Sequence, residues 1–273
     1  MPYQLMAVDM DGTLLNSQKQ IAPRDAEALN RALDRGKQVV FSTGRCIAEL
    51  EGFFPLFPRM RYVLGESGAL IYDLRERRAL HRQSFAPELV ETIWQRVGHR
   101  DLMPQLLTDD GTVMRQWDVD HLERYHMSHY RRHFVETGGI VDDVWAVGLA
   151  RGWQDIDKIC LFHRSPEERA LSREALADLP LALVDAEETS LEVSPLDVDK
   201  GRGLGILCRH LGLSPEETIA VGDSYNDLSI LRAAGLAVAM GNAVEAVRKV
   251  CGAVVADNDH CGVAEAAERF LLE

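Results

Sequence analysis

The sequence predicts an α/β fold: a Rossmann-like, mostly parallel sheet with helices on both faces, interrupted by an inserted α+β domain. Three observations carry this expectation. Short apolar runs without polar alternation recur in the first and last thirds of the chain, as expected of strands buried on both faces. Helical segments alternate with those runs, the pattern of a sheet built from crossover units. From about Ser84 to Glu187 the texture changes to hairpin-like pairs and helices. The sheet domain is therefore expected to be discontinuous, residues 1–83 and 188–273, with 84–187 inserted.

The first run, Leu5-Met6-Ala7-Val8, ends at Asp9-Met10-Asp11-Gly12-Thr13-Leu14. Pro23 opens a helix through Ala26, Leu29 and Leu33, and Gly36 closes it. Gln38-Val39-Val40-Phe41 is a strand ending at Ser42-Thr43-Gly44-Arg45, and a helix is expected after it to about Phe53. Tyr62-Val63-Leu64 is a third strand. Ala69–Tyr72 and Ala79–His81 follow as a hairpin.

In the insert, Pro87 starts a helix carrying Leu89, Val90, Ile93 and Val97. Two short strands flank the turn signal Asp109-Asp110-Gly111. Asp120 to Phe134 is expected to be helical, Asp157 to Phe162 a strand, Ser165 to Leu179 a capped helix and Leu181 to Val184 a strand. Alternation then returns. A helix from Gly201 to Leu211 ends at Gly212, and the strand Thr218–Val221 ends at Gly222-Asp223. A helix over 226–234, a strand over 236–239, a helix over 243–250, a strand over 253–255 and a final helix complete the pattern.

Composition narrows the function. The 273 residues suffice for one large or two modest domains and are 46% hydrophobic. The net charge of −13 argues against a nucleic-acid or anionic-membrane surface, which favours basic patches. It leaves room for a small anionic substrate, because a bound cation and a few local Lys/Arg reverse the potential within one cleft. The five cysteines, Cys46, Cys160, Cys208, Cys251 and Cys261, are odd in number and widely spaced, as free thiols in a reducing compartment are. No apolar stretch approaches a membrane span, and a cytoplasmic location is expected. A monomer or small homo-oligomer is expected.

Four polar sites sit where apolar strands end or helices begin: Asp9/Asp11, Thr43, Lys200, and Asp223 with Asn226 and Asp227. Open α/β sheets bind ligands at the carboxyl ends of their strands. Each residue alone has a plainer reading. Asp is a turn former, Thr43 a helix cap, and Lys200 a solvated residue, although a cation at a helix start opposes the dipole. Their recurrence in order at one sheet edge points to a shared site.

Asp9-Met10-Asp11-Gly12-Thr13-Leu14, Ser42-Thr43-Gly44-Arg45, Asp199-Lys200-Gly201 and Gly222-Asp223-Ser224-Tyr225-Asn226-Asp227 resemble the four ordered motifs of the haloacid dehalogenase-like phosphatases. The position of the insert is similar to that of the Cof-type subfamily, as are Met240-Gly241-Asn242-Ala243 and Gly262-Val263-Ala264. The resemblance implies a Mg²⁺-dependent phosphatase acting on small phosphorylated metabolites, such as sugar phosphates, through an aspartyl phosphate. It implies Asp9 as nucleophile and ligand, Asp11 as proton carrier with its backbone carbonyl on the metal, and Asp223 as a further ligand. It implies Thr43, Lys200 and Asn226 on the phosphoryl group, with backbone groups around Met10, Gly12 and Gly44. Asp227 and Arg45 are expected in support.

Two positions depart from the subfamily pattern. Glu66-Ser67-Gly68-Ala69 has Ser where Asn is usual, and Cys261 precedes Gly262 where Asp is common. The cap matches only in size and place. If it closes as a lid it must supply substrate contacts, with Arg115, Trp117, His121 and Tyr125 as candidates. The histidine-rich stretch 121–133 reads more simply as a solvated helix face. The alternatives are a phosphotransferase or phosphomutase with the same nucleophile, and a non-catalytic metabolite-binding protein on the same scaffold.

Overall fold

The computed structural model describes residues 3–108 and 111–273. In chain order the first elements are β1 (Leu5–Val8), α1 (Pro23–Asp34), β2 (Gln38–Ser42), β3 (Tyr62–Gly65), β4 (Leu70–Asp73) and β5 (Arg78–Arg82). They are followed by α2 (Pro87–Val97), β6 (Met103–Thr108), β7 (Gly111–Arg115), α3 (Gln116–Asp120), α4 (Arg131–Thr137), β8 (Gly138–Val141) and α5 (Val144–Ala150). Next come β9 (Ile156–Phe162), α6 (Pro166–Leu176), β10 (Leu181–Asp185) and β11 (Ser190–Pro195). The chain closes with α7 (Lys200–Leu211), β12 (Thr218–Gly222), α8 (Leu228–Ala233), β13 (Leu236–Ala239), α9 (Glu245–Arg248), β14 (Ala253–Val254) and α10 (Gly262–Ala266).

Two compact units result. The first comprises Met1–Arg45, Glu51–His81 and Asp199–Glu273. Its eight-stranded sheet has the order β14-β13-β12-β1-β2-β3-β4-β5. Pairing is parallel from β14 through β3, and β4 turns antiparallel. This is the mostly parallel α/β sheet expected from the sequence. Leu5 and Ala7 join Val40, Leu64, Leu204, Leu207 and Ile230 in one core that includes α7 and α8. Their neighbours Met6 and Val8 point to the opposite face, because side chains alternate along a strand.

The second unit comprises Cys46–Leu50 and Arg82–Val198, with a six-stranded sheet in the order β10-β11-β9-β6-β7-β8. Val90, Ile93, Leu106, Ile159, Leu161, Leu191 and Val193 form a core on one face. Met103, Leu107, Met114, Cys160 and Phe162 form another with Leu122 and Tyr125.

Several elements differ from expectation. Ser190–Pro195, expected in the first unit, is β11 of the second sheet, paired with β10 and β9. Its alternation of Ser190, Glu192 and Ser194 with Leu191 and Val193 is the period of an antiparallel strand. The helix expected after Gly44 is one short turn, Ala48–Leu50, and belongs with the second unit. Glu49 Oε2 accepts the Cys46 N–H at 2.8 Å, and Gly52, Pro55 and Pro58 stop any extension. The helix expected over 120–134 is broken into α3, two short turns and α4, with His126 left-handed at φ +60° between the turns. The helix expected from 226 begins as α8 at Leu228 after a short turn at Tyr225–Asp227. β8 and α5 had no counterpart in the sequence reading. The expected turn at Asp109-Asp110 lies outside the described residues. All five cysteines are free thiols, and no helix among the described residues is long and apolar enough to cross a membrane.

Candidate active site

Lys200 is the first residue of α7, and Asp199 caps that helix by accepting the Arg202 N–H at 2.9 Å. A lysine there opposes the helix dipole. The structure supplies the compensation: Nζ donates to Asp9 Oδ1 at 2.6 Å and to Asp227 Oδ1 at 2.7 Å. Lys200 is 1% exposed, and Asp9, just past β1, is 6% exposed. Burial alone would lower the Lys200 pKa, but Asp227 and Asp9 overcome it and hold the ammonium charged. Asp9 is pushed well above the usual carboxylate range, by burial first and then by Asp227, with Asp223 adding to the repulsion and Lys200 opposing it.

Asp223 follows β12 and accepts from Thr13 Oγ1 at 2.7 Å. Its pKa is raised to about 6 by burial and by Asp227, against the Thr13 hydrogen bond. Asp227 is fully buried, and its Oδ2 accepts the backbone N–H groups of Asp223 at 2.9 Å and Ser224 at 3.1 Å. Two glycines are required here. Gly12 sits at φ +84°, and a Cβ on it would lie 2.5 Å from Asp223 Oδ2. A Cβ on Gly222 would lie 2.6 Å from Asp227 Cγ.

Carboxylate oxygens of Asp9, Asp223 and Asp227 fall within 4.8 Å of one another. Two buried carboxylates thus share one ammonium with the half-buried Asp223 beside them, and the surplus negative charge is costly unless a cation joins it. The donors are hard oxygens, which suits Mg²⁺. The enclosed Asn226 Oδ1, which has no hydrogen-bond partner, adds a further unsatisfied oxygen beside Asp227 in the chain. The residues present therefore fit the ion that the sequence implies. Asp227, expected only in support, joins the side-chain grouping, to which the Asp11 carboxylate does not belong.

Asp11 is bound by cations instead. Arg45 grips it with Nε on Oδ2 and Nη2 on Oδ1, both at 2.8 Å, and Lys19 Nζ reaches Oδ1 at 2.8 Å. These charges overcome the opposing effect of burial and hold the carboxylate well below its usual pKa range. Thr43, buried at the end of β2, accepts the Arg45 N–H at 3.2 Å through Oγ1, with Gly44 in the turn between. The buried Met10 carbonyl accepts N–H groups of Thr13 at 3.3 Å and Leu15 at 2.8 Å, which curls the loop after β1. The Gly12 carbonyl accepts from Asn242 Nδ2 at 2.8 Å, so the Met-Gly-Asn-Ala segment braces that loop.

The sequence reading missed Lys19, Thr13 and the packing role of Gly68. Gly68 sits at φ +102°, and a Cβ on it would meet the Asp199 carbonyl at 2.2 Å. Glu66, Ser67 and Gly68 are consecutively left-handed, bringing this turn against the start of α7. A charged residue within a loop of polar residues gave no signal for Lys19.

In the second unit the four cap candidates divide. Arg115 grips Asp118 through Nε at 2.8 Å and Nη2 at 2.6 Å, and the buried Tyr125 hydroxyl donates to Asp118 at 2.9 Å. Asp118 is fully buried, so this set holds the fold of the segment together. Trp117 is 44% exposed, stacks on His121 at 4.2 Å between ring centroids, and lies within 5.3 Å of the Arg115 and 5.2 Å of the Arg124 guanidinium carbons. In the histidine-rich stretch, His121 and His126 each hydrogen-bond a backbone carbonyl. The His133 side chain lies outside the described part.

A family model described as haloacid dehalogenase-like hydrolase matches residues 6–266. The chain is 30% identical to the 5-amino-6-(5-phospho-D-ribitylamino)uracil phosphatase YcsE of Bacillus subtilis, over 98% of this chain and 96% of that one. It is also 30% identical to the chloroplastic endoribonuclease YBEY of Arabidopsis thaliana, but spans only 47% of that longer protein. A solved haloacid dehalogenase-like hydrolase from Bacillus subtilis superposes with a TM-score of 0.87 at 28% identity, over 98% of this chain and all of that one.

Proposed function

Because this chain belongs to the haloacid dehalogenase-like hydrolase family, we propose that it is a Mg²⁺-dependent phosphatase of small phosphorylated metabolites, working through an aspartyl phosphate on Asp9. The observation that carries this reading is the buried Asp9–Lys200–Asp227 triad with Asp223 beside it. A structural ion pair would match its charges, whereas this one leaves carboxylate in excess. The YcsE relative, a phosphatase of a phosphorylated small molecule by its name, supports the substrate class.

Asp9, Asp223 and Asp227 would hold Mg²⁺, which supplies charge neutralisation between the nucleophile and the anionic substrate. Lys200 holds Asp9 in place by its hydrogen bond and offers a buried positive charge to the phosphoryl oxygens. Thr43 Oγ1 and Asn226 supply neutral polar contacts to the same group. An Asp9 carboxylate oxygen attacks phosphorus, and the bond from phosphorus to the ester oxygen breaks. Asp11, ionised in the grip of Arg45 and Lys19, would first have to take a proton from solvent and would then give it to the departing alcohol. Water then attacks the phosphorus of the aspartyl phosphate, Asp11 takes the proton from that water, and the bond to Asp9 breaks, returning the carboxylate and inorganic phosphate.

Phosphate release from a panel of phosphorylated metabolites tests the reading. Release that stops with EDTA and returns with Mg²⁺ supports it. Release indifferent to chelation overturns the metal assignment, and transfer to an added sugar in preference to water makes the protein a phosphotransferase.

A further inference from the structure

A cavity of about 260 Å³ opens in the second unit between the loop after α2, β6 and the start of α5. Leu102, Pro104 and Val144, all buried, give it apolar walls, and the half-buried Trp145 adds an aromatic one. Ligand sites commonly measure about 300–1,000 Å³, so this one suits a small molecule. The charges in its lining are unequally occupied. Arg115 is held by Asp118 through two hydrogen bonds. Asp101 pairs with Arg124 at 2.8 Å and with Arg164 at 3.0 Å. Asp143 Oδ1 accepts the N–H groups of Trp145 at 2.9 Å and Ala146 at 3.1 Å.

Arg100 is the exception. Its side chain has no hydrogen-bond or ion-pair partner among the described residues, and its Nε is enclosed without an acceptor. A guanidinium stays charged at any ordinary pH, so Arg100 brings an unmatched positive charge to the lining. Its two Nη groups are not enclosed. They are free to meet a carboxylate end-on through two parallel N–H bonds.

We propose that this cavity binds a small organic monocarboxylate, with the carboxylate on Arg100 and an apolar or aromatic body against Trp145, Leu102, Pro104 and Val144. One unpaired cation matches one negative charge. A phosphate dianion would bring a second, which Asp101 and Asp143 in the lining repel. The cavity therefore disfavours the phosphorylated molecules proposed as substrates, and it shares no residue with the Asp9 cluster. It is a second site for a different class of ligand.

Three probes of one shape test this on the full chain without Mg²⁺. Phenylacetate carries the carboxylate and a ring, phenylacetamide replaces the charge with a neutral amide, and benzylphosphonate replaces it with a phosphonate of higher charge. Binding is read by NMR from the Trp145 indole N–H signal, assigned with Trp145→Phe. Phenylacetate should shift it saturably with a Kd on the order of 1 mM, as expected of so few atoms around one ion pair. Phenylacetamide and benzylphosphonate should bind about tenfold more weakly or worse. Arg100→Gln should weaken phenylacetate about tenfold and leave phenylacetamide unchanged, while Arg100→Lys keeps part of the affinity. Should Arg100→Gln fold poorly, the three probes on the unaltered chain still decide. No phosphate release is measured, so the result is independent of the chemistry proposed for Asp9. The absence of a saturable shift well beyond that Kd, equal affinity for the amide, or binding indifferent to Arg100→Gln overturns the site. Benzylphosphonate binding as tightly as phenylacetate overturns the carboxylate class.

Discussion

Two sets of charged groups, one in each unit, are organised in opposite ways. In the first unit Lys200 joins Asp9 and Asp227, partners 191 and 27 residues away, with all three nearly or fully buried. In the second unit the cap candidate Arg115 pairs locally with Asp118 three residues on, as Arg132 does with Glu136 four residues on, and the arginines stay partly exposed. Exposed local pairs contribute little, whereas a buried group that loses its only partner costs several kcal/mol. The comparison marks the Asp9–Lys200–Asp227 cluster as a place where carboxylate is held in excess of its cation at a cost to stability, and such costs cluster at functional sites.

The sharpest way to break this comparison is to remove the nucleophile. Asp9→Asn should abolish phosphate release, a loss on the order of 10⁴-fold or more. The fold should survive, because Lys200 keeps Asp227 and one carboxylate leaves a crowded cluster. Substantial residual turnover in a Tm-matched variant would remove Asp9 from the role. Lys200→Met should instead damage the fold itself, by about 3–5 kcal/mol in chemical denaturation, since Asp9 and Asp227 both lose their cation. Arg132→Ala, on an exposed cap pair, should change stability by less than about 1 kcal/mol. Equal losses would erase the contrast between the units.

Backbone geometry sharpens it further. Gly68 and Gly152 both have positive φ, at +102° and +60°. A Cβ on Gly68 collides with the Asp199 carbonyl at 2.2 Å, while one on Gly152 meets nothing within 4 Å. Gly152→Ala should cost about 1 kcal/mol, the ordinary left-handed penalty. Gly68→Ala should cost more and should also lower activity, because the collision bears on the residue that caps α7 and so on Lys200. Matching losses, with activity intact in both, would show that the turn does not position Lys200.

The same contrast explains what was legible in the sequence. The strands of the first unit are short apolar runs buried on both faces, and their ends carry the reactive residues, so spacing revealed both fold and site. Asp227 was placed only in support, because nothing in the sequence says that its carboxylate gathers with those of Asp9 and Asp223. The helix expected over 120–134 failed because helical spacing of aromatics was read without knowing that Tyr125 would turn inward to Asp118 and that His126 would adopt φ +60°. β11 was assigned to the wrong unit because its alternation states that one face is half-buried, not against which sheet. Lys19 was unreadable because its partner is chosen by a left-handed turn.

The smallest expected effect concerns pH, and its sign differs between the units. Asp25, buried on α1 and accepting the Ala264 N–H at 2.7 Å, is raised from 3.8 to about 6, chiefly by burial. Between those values the folded chain binds the extra proton, so Asp25 favours folding below pH 3.8 and that contribution is lost as pH rises to about 6. His163 in the second unit is buried and lowered from 6.5, first by desolvation. Its Nδ1 donates to the Thr189 carbonyl at 3.0 Å, and in the neutral ring Nε2 accepts from Ser172 Oγ at 2.9 Å, so the uncharged form is fully hydrogen-bonded. Here the unfolded chain binds the extra proton, so the contribution is complete above pH 6.5 and is lost as pH falls below it. The two trends oppose each other near pH 5–6 and partly cancel in the parent. Single variants should separate them: denaturation midpoints of Asp25→Asn should climb more steeply with pH over that range than the parent's, and those of His163→Gln should climb less or fall. If both variants keep the parent's slope, neither group titrates differently in the folded chain, and burial in the two units carries the same electrostatic consequence after all.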